Sequence, residues 1–212
     1  MKREFFENGV FHIFTKSIAE YTIFRTEEDY VRMLNLLKFY MFERKNSFYY
    51  YSRLPDIEKE KLYKGKKIVK IIAYCLMPTH IHLILYNEQE NGITTFMRNL
   101  LDSYTRYFNL KVKRKGPLWE SRFKSILVET DEQLLHLTRY IHLNPVTAYL
   151  VDSPEKWKFS SYLEYVEEIN EQEKISEYKD FLEISPKDYK IFVNDRISYQ
   201  RELAKIKKIT FE

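Results

Sequence analysis

The stretch AYCLMPTHIHLILYN, residues 73–87, sets His80 and His82 two positions apart in an otherwise apolar run. Pro78 and Thr79 divide this run into two apolar segments, which predicts two strands joined by a short turn. Successive residues of a strand point to opposite faces of the sheet, so the two imidazoles would share one face of the second strand. The stretch therefore predicts a sheet that presents two neighbouring histidines.

The segments on either side predict the rest of the fold. A strand is expected over residues 9–18, and a helix capped by Thr26 follows it. Residues 46–67 are polar and predict a loop or an extended insertion. An apolar stripe predicts a helix from Gly92 to Phe108. A fourth strand then precedes a helix that Thr130 would cap and that would end at about Leu143. This order predicts an α+β fold, a ferredoxin-like antiparallel sheet with helices packed on it.

Length and composition favour one main domain with an appendage. The chain has 212 residues and 44% apolar content, enough for an ordinary core. Residues 1–151 carry 24 basic and 17 acidic residues, whereas residues 152–212 carry 11 basic and 14 acidic ones. We therefore expect a main domain over 1–151 and a charged, helical C-terminal extension over 152–212.

Cysteine content and hydropathy bear on the compartment. The single cysteine, Cys75, cannot form an internal disulfide and is expected to be a buried thiol in a reducing compartment. The first residues lack the apolar block of a signal peptide, and no run approaches the length of a membrane span. These features predict a cytoplasmic protein.

Basic and aromatic residues alternate between residues 103 and 128. Seven lysines and arginines there accompany one acidic residue, Glu120, and five aromatic side chains lie among them. Single-stranded nucleic acids are bound by cationic groups that contact phosphates and by rings that stack on bases. On this pattern alone, a nucleic-acid interface and an ordinary solvated surface both stay open.

The last predicted helix offers further polar groups. Leu134, Leu137 and Ile141 define its apolar stripe, and Tyr140 and Asn144 lie four residues apart on the flank of that stripe. Two such side chains can reach the same point. The proline at position 145 disfavours helical geometry at the preceding residue, so we expect the Asn144 amide to project from the end of the helix.

Four segments together resemble a known family. They are MPTHIHLIL (77–85), FMRNLLDSYTRYFN (96–109), GPLWESRFKSILVE (116–129) and LTRYIHLNPVTAYLV (137–151). In order and spacing they are similar to the signatures of REP-associated tyrosine transposases, which are relatives of the single-tyrosine HUH insertion-sequence transposases. The resemblance covers roughly residues 9–165. The first strand departs from it, because relatives usually have an asparagine-arginine pair after the strand's histidine.

The resemblance implies a DNA transposase and endonuclease active in transposition and DNA recombination. It would cut and rejoin single-stranded, hairpin-containing DNA through a covalent phosphotyrosine intermediate. By motif match, Tyr140 is the nucleophile, and His80, His82 and Asn144 hold a divalent metal ion, Mg²⁺ or Mn²⁺. The ion would offset the charge that develops when the phenol attacks phosphorus. A homodimer and a monomer both stay open.

Other residues are assigned narrower roles. Tyr104 is expected in the core, and Tyr107 could stack on a base or cover the sheet. His12 and His142 are expected to be structural, whereas His136 is a candidate to assist at the metal. The predicted DNA contacts are Arg106, Lys113, Arg114, Lys115, Trp119, Arg122, Lys124 and Arg139.

Two other functions are consistent with parts of the pattern. A nucleotide hydrolase of the histidine-triad type also carries two such histidines on a strand, but it needs a third histidine where Ile84 stands. A non-catalytic module that binds single-stranded nucleic acid on a ferredoxin-like sheet is the stronger alternative, since such sheets often bind single strands through aromatic side chains.

Overall fold

The computed structural model describes residues 5–55, 58 and 65–202. Four strands form one antiparallel sheet in the order β2, β3, β1, β4, so that β1 and β3 are the inner strands. Their bounds are β1 Val10–Lys16, β2 Val69–Met77, β3 His80–Asn87 and β4 Lys124–Val128. This α+β architecture confirms the ferredoxin-like sheet that the sequence predicts.

Six α-helices that accompany the sheet lie wholly within the described residues. Helices α1 and α3 pack together on one face, and α4 covers part of the other. No helix of the described ranges combines the length and the apolar character that crossing a membrane requires. The bounds are α1 Glu27–Tyr40, α2 Phe48–Ser52, α3 Gly92–Lys111, α4 Asp131–Thr147, α5 Tyr162–Tyr165 and α6 Pro186–Asn194.

The alternation of side chains along the strands divides the core into two apolar clusters. Phe11 and Ile13 of β1 point into the first cluster, with α1 and α3. Cys75 and Ile84 point into the second cluster, with α4 and α6. Burying apolar area in this way stabilises the fold by about 25 cal/mol per Å². Cys75 is fully buried, as expected for a packed thiol.

Helix α1 begins where the sequence predicts. The backbone N–H of Thr26 donates to Asp29 Oδ2 at 3.0 Å, as in a capping box. Asp29 is fully buried, and its other oxygen, Oδ1, accepts from Tyr107 Oη at 2.9 Å and from Lys111 Nζ at 2.7 Å. These bonds join the start of α1 to the end of α3.

Helix α4 begins as predicted but extends further. Thr130 Oγ1 accepts from the backbone N–H of Gln133 at 3.1 Å, which caps the helix. The prediction of an end near Leu143 is wrong, because α4 continues through Pro145 to Thr147. A proline removes one N–H, and here the missing bond falls in the last turns. Pro145 is buried, so packing offsets this loss.

The polar insertion contains more structure than the sequence predicts. Helix α2 lies within the expected loop at 46–67, and Ser47 caps it by accepting from the backbone N–H of Tyr50. Residues 56, 57 and 59–64 of this prediction lie outside the described residues.

The residues after 151 pack against the sheet and α4. The backbone N–H of Leu76, on the outer strand β2, donates to the Phe159 carbonyl at 2.9 Å. The Glu164 carboxylate is buried and accepts from Tyr74 Oη at 2.7 Å and from the backbone N–H of Ser176 at 2.7 Å. Between residues 152 and 202 the segment contains the helices α5 and α6 together with short helical turns and loops. Residues 203–212 of the predicted extension lie outside the described residues. It covers the β2 edge of the sheet.

Candidate active site

His80 and His82 lie side by side at the start of β3. Their ring centroids are 5.2 Å apart and the rings are nearly perpendicular, at 83°. His80 Nδ1 is 3.0 Å from Thr79 Oγ1, which leaves its Nε2 directed away from this contact. Strand alternation therefore brings the two imidazoles together as the sequence predicts.

A third histidine joins them, although the sequence assigned it a structural role. His12 lies on β1, and its Nε2 atom is 3.0 Å from Nδ1 of His82. The two rings are nearly parallel, and their centroids are 5.3 Å apart, so that the ring edges face each other. In the antiparallel register His12 pairs with Ile84, and His82 pairs with Phe14. All three histidines thus lie on one face of the two inner strands.

Tyr140 of α4 lies over His82 and His12. Its ring centroid is 5.9 Å from that of His82 and 6.5 Å from that of His12, and both contacts are edge to face. The residue is 42% exposed, and within the described residues its hydroxyl has no hydrogen-bond partner. Partial burial raises the pKa of the phenol above 10.0. Tyr140 is therefore accessible, and it is protonated at neutral pH.

Burial keeps the three imidazoles neutral at pH 7. It lowers the pKa of His12 to about 4. Burial, aided by the charge of Lys16, lowers the pKa of His80 to about 4. The pKa of His82 falls well below 6.5, first through burial and then through the neighbouring His80 and His12. Neutral imidazole is the form that binds metal ions.

Asn144 lies one helical turn beyond Tyr140, inside α4 rather than at its end. Because the helix continues through Pro145, the prediction that the amide projects from a helix terminus is wrong. The Asn144 side chain is half-buried, and its Nδ2 atom is buried with no hydrogen-bond partner among the described residues. A half-turn of the amide exchanges nitrogen and oxygen. In that orientation the amide oxygen would occupy the buried position.

The described residues contain no group of three or more His, Cys, Asp and Glu side chains arranged to hold a metal ion. The predicted set of two histidines and an asparagine is not such a group, since Asn144 supplies an amide oxygen. Its donors are of types that divalent ions accept. The set stays a prediction.

The two competing tyrosines have other partners. Tyr104 is fully buried in the first apolar cluster, where its hydroxyl donates to the Ile23 carbonyl at 2.8 Å. Tyr107 donates to Asp29 at 2.9 Å and lies beneath Lys111. Both belong to α3, on the opposite face of the sheet from Tyr140.

Cationic residues flank the histidines on the exposed part of the sheet. Lys16 pairs with His80 in the register of β1 and β3, and Lys124 pairs with Phe14 in that of β1 and β4. Both lysines are exposed, and Phe14 stacks on His82 with ring centroids 5.9 Å apart. Sequence reasoning missed Lys16 and Phe14, which strand alternation along β1 could have identified.

The other predicted DNA contacts are dispersed. Arg106 lines a cleft between α1, α2 and α3, on the face opposite Tyr140. Arg114 donates to the Asn109 side chain and to the Pro117 carbonyl at 2.5 Å, within the loop after α3. Trp119 Nε1 donates to Thr105 Oγ1 at 3.0 Å. Lys113, Lys115 and Arg122 are exposed.

Arg139 and His136 lie on the side of α4 that contacts α6. The Arg139 guanidinium stacks on Phe192 of α6 at 4.0 Å, and its Nη2 atom is 2.7 Å from His136 Nδ1. His142 is fully buried, with Tyr189 Oη 2.6 Å from its Nδ1 and Ser161 Oγ 2.7 Å from its Nε2, which fits the structural role expected of it. These contacts fix α4 against the C-terminal residues.

Three comparisons with known proteins agree with the resemblance seen in the sequence. Residues 44–144 match the family described as "Transposase IS200 like". A curated protein of Haemophilus influenzae, named as a REP-associated tyrosine transposase, is 30% identical over 101 residues, which cover 43% of this chain and 57% of the relative. The match thus spans little more than half of that relative.

A solved structure shares the fold. A REP-associated tyrosine transposase bound to a REP hairpin superposes with a TM-score of 0.54 at 15% identity, covering 88% of this chain and 94% of that one. At this identity the likeness concerns the fold. The predicted resemblance to this family is confirmed.

Proposed function

Because residues 44–144 match the IS200-like transposase family, we propose that this protein cuts and rejoins single-stranded, hairpin-containing DNA through a covalent phosphotyrosine. The observation that carries the proposal is the edge-on contact of Tyr140 with His82, whose ring centroids are 5.9 Å apart. A single exposed phenol beside neutral imidazoles suits covalent attack on a phosphodiester. Hairpin DNA is the proposed substrate, since the solved relative is bound to a REP hairpin.

Tyr140 is the proposed nucleophile. Its oxygen forms a bond to phosphorus, and the bond between phosphorus and one deoxyribose oxygen breaks. The phenol loses its proton, and the departing oxygen gains one. The phosphotyrosine retains a phosphodiester-like bond, so a second strand end can reverse the reaction without ATP. Partial burial raises the pKa of Tyr140, so nearby positive charge must favour the ionised form.

His80, His82 and Asn144 are the proposed ligands of a divalent ion, Mg²⁺ or Mn²⁺. The residues fit this role because burial keeps both imidazoles neutral, and because one end of the Asn144 amide, at Nδ2, is buried without a partner among the described residues. Once bound, the ion would polarise the phosphodiester and neutralise charge on the phosphate.

Lys16 and Lys124 are proposed to hold the DNA backbone next to the reacting phosphate. Lys16 lies opposite His80 in the strand register, and Lys124 lies beside Phe14. Phe14 offers a half-exposed ring on which one base can stack. Of the DNA contacts predicted from the sequence, Lys124 belongs to this surface, and Arg122 lies two residues before it in the chain. A strand bound here would lie across β1 and β4, within reach of Tyr140.

A covalent-adduct assay tests the proposal. The full-length protein is incubated with labelled single-stranded DNA that carries a hairpin from its own genomic neighbourhood, in Mn²⁺ or in EDTA. An unstructured strand of equal length is the matched control. We expect a band of retarded protein on a denaturing gel only with the hairpin and Mn²⁺, and mass spectrometry should find the nucleotide on Tyr140.

Other results would contradict the proposal in distinct ways. Tight binding of the hairpin without any adduct would favour the non-catalytic binding module. A nucleotide on Tyr104 or Tyr107 would show that the wrong tyrosine is assigned. Adduct formation in EDTA would remove the metal from the mechanism.

A further inference from the structure

His12 is the buried titratable residue of the site to which the proposed reaction assigns no role. Only 7% of His12 and 8% of His82 is exposed to solvent. The two rings are nearly parallel, at 19°, and His12 Nε2 is 3.0 Å from His82 Nδ1. That distance is a hydrogen bond, so the two nitrogens share one proton. The position of this proton determines which nitrogen of His82 is left with a free lone pair.

Only one position of the proton leaves His82 able to bind a metal ion at Nε2. If His12 Nε2 donates, His82 must carry its own proton on Nε2, which then has no lone pair. If His82 Nδ1 donates, His82 Nε2 has a lone pair, and His12 carries its proton on Nδ1. Ligating histidines generally donate their other ring N–H to an acceptor that fixes their tautomer and orientation.

We propose that His12 is a positioning residue, which accepts the Nδ1 proton of His82 and holds its Nε2 nitrogen ready for the metal ion. The proposal rests on the proposed function insofar as His82 is a ligand. Packing supports it, because Phe14 lies against both rings, with centroids 5.0 Å from His12 and 5.9 Å from His82. Tyr140 meets both rings edge-on from α4. Neither imidazole can turn without displacing an aromatic neighbour.

The backbone makes the arrangement specific to this pair of residues. β1 and β3 are the two inner strands, and ladder hydrogen bonds hold each on both sides. In the β1–β3 register, His12 lies diagonal to His82 rather than opposite it, because its direct partner is Ile84. Diagonal neighbours on one face are separated widely enough for two imidazoles to meet through their ring nitrogens. His80 contacts Thr79 instead, so the two proposed ligands have different supports.

The first test needs no substitution and no metal. In full-length protein labelled with ¹⁵N-histidine, long-range proton–nitrogen NMR spectra assign the tautomer of each ring. We expect His82 to carry its proton on Nδ1 and His12 to carry its proton on Nδ1 as well. A proton on Nε2 of His82 would overturn the proposal, whether or not the protein cleaves DNA.

The second test uses two variants that differ in whether they keep a hydrogen-bond acceptor. His12→Phe keeps a ring in the site but removes the acceptor, whereas His12→Gln retains an acceptor oxygen. Mn²⁺ affinity, measured by electron paramagnetic resonance without DNA, should fall roughly 10- to 100-fold in His12→Phe. It should stay close to that of the wild type in His12→Gln. Urea unfolding of both variants checks that the fold is retained.

The outcomes separate the positioning role from the proposed function. If the wild type does not bind Mn²⁺, the metal of the proposed function fails, and the NMR tautomer alone decides the role of His12. If the wild type binds Mn²⁺ and His12→Phe binds it equally well, His12 has no positioning role. Equal losses in the two variants would indicate that His12 is itself a ligand, which would also overturn the proposal.

Discussion

Three tyrosine-to-phenylalanine substitutions should separate chemistry from stability, because each removes one hydroxyl from a different environment. The Tyr140 hydroxyl has no hydrogen-bond partner among the described residues, so its loss should cost less than about 0.5 kcal/mol of unfolding free energy. The Tyr104 hydroxyl is fully buried and donates to the Ile23 carbonyl at 2.8 Å. Its loss leaves a buried acceptor unpaired and should cost about 1–3 kcal/mol.

The same substitutions should rank in the opposite order by their effect on DNA cleavage, with Tyr140→Phe losing the most activity. Tyr140→Phe should abolish the covalent adduct while the affinity for hairpin DNA stays unchanged, because the ring and its contacts with His82 remain. Tyr104→Phe should still form the adduct at a temperature where it is folded. Tyr107→Phe is a second control, since its hydroxyl bonds to Asp29 at 2.9 Å on the other face of the sheet.

Two measurements on the same preparations decide the outcome. Urea titrations give the free energies of unfolding, and thermal melts should shift by roughly 2–4 °C per kcal/mol for a chain of this length. Denaturing gels give the adduct yield. Adduct formation by Tyr140→Phe would refute the assignment of the nucleophile. A loss of more than about 1 kcal/mol in the same variant would refute the inference that its hydroxyl is unbonded.

Two further predictions concern DNA binding and acid stability. Lys16→Ala and Lys124→Ala should each weaken hairpin binding and reduce the slope of log affinity against log salt by about 0.7. The control variant Lys187→Ala, on α6, should change neither the affinity nor the slope. If fluorescence-anisotropy titrations give Lys16→Ala and Lys124→Ala the slope of the wild type, both lysines lie outside the DNA interface. Asp29→Asn should destabilise the fold by about 3 kcal/mol at pH 7, because the buried carboxylate accepts from Tyr107 and Lys111. Burial acts to raise the pKa of Asp29, but the bond from Lys111 and the other donors outweigh it, so the pKa lies below 3.8. Its contribution is therefore present above about pH 4 and is lost as the pH falls through the folded-state pKa. The difference in the free energy of unfolding between the wild type and Asp29→Asn, measured with urea, should become smaller below pH 3.8. A difference that does not change with pH would contradict this account.

Most of the fold could be predicted because its signals are local. The two apolar runs around Pro78 and Thr79 predict a strand pair, and β2 and β3 lie there. Thr26 and Thr130 each precede a helix that begins at the next residue. Such signals depend on neighbours within a few positions, which the sequence displays directly.

The contact of His12 with His82 could not be predicted in the same way. Alternation along β1 gives the face on which its ring lies, but not the strand it faces. That strand, β3, is about seventy positions away, and its register with β1 depends on how the whole sheet assembles. The contact with His82 is therefore a property of the sheet and not of either segment.

The end of α4 and the C-terminal packing were also beyond local reasoning. Pro145 carries a strong local signal against a helix, but the residue is buried and α4 continues through it. The residues after 151 bury scattered tyrosines rather than a periodic stripe. Tyr165, for instance, is fixed by a bond from its hydroxyl to the Ile72 carbonyl at 2.8 Å. Such anchors have no period that a sequence could reveal.

The proline inside α4 means that the two halves of the site are held by different kinds of contact. The histidines lie on the two inner strands, whose ladders open only when the whole sheet unfolds. Pro145 has no amide proton, so the carbonyl of Ile141, one residue after Tyr140, receives no helical bond from it. Side-chain contacts support this turn instead, since the buried His142 ring lies 2.6 Å from Tyr189 Oη and 2.7 Å from Ser161 Oγ. The histidines therefore depend on the sheet for their position, whereas Tyr140 depends on the packing of α4 against the C-terminal residues.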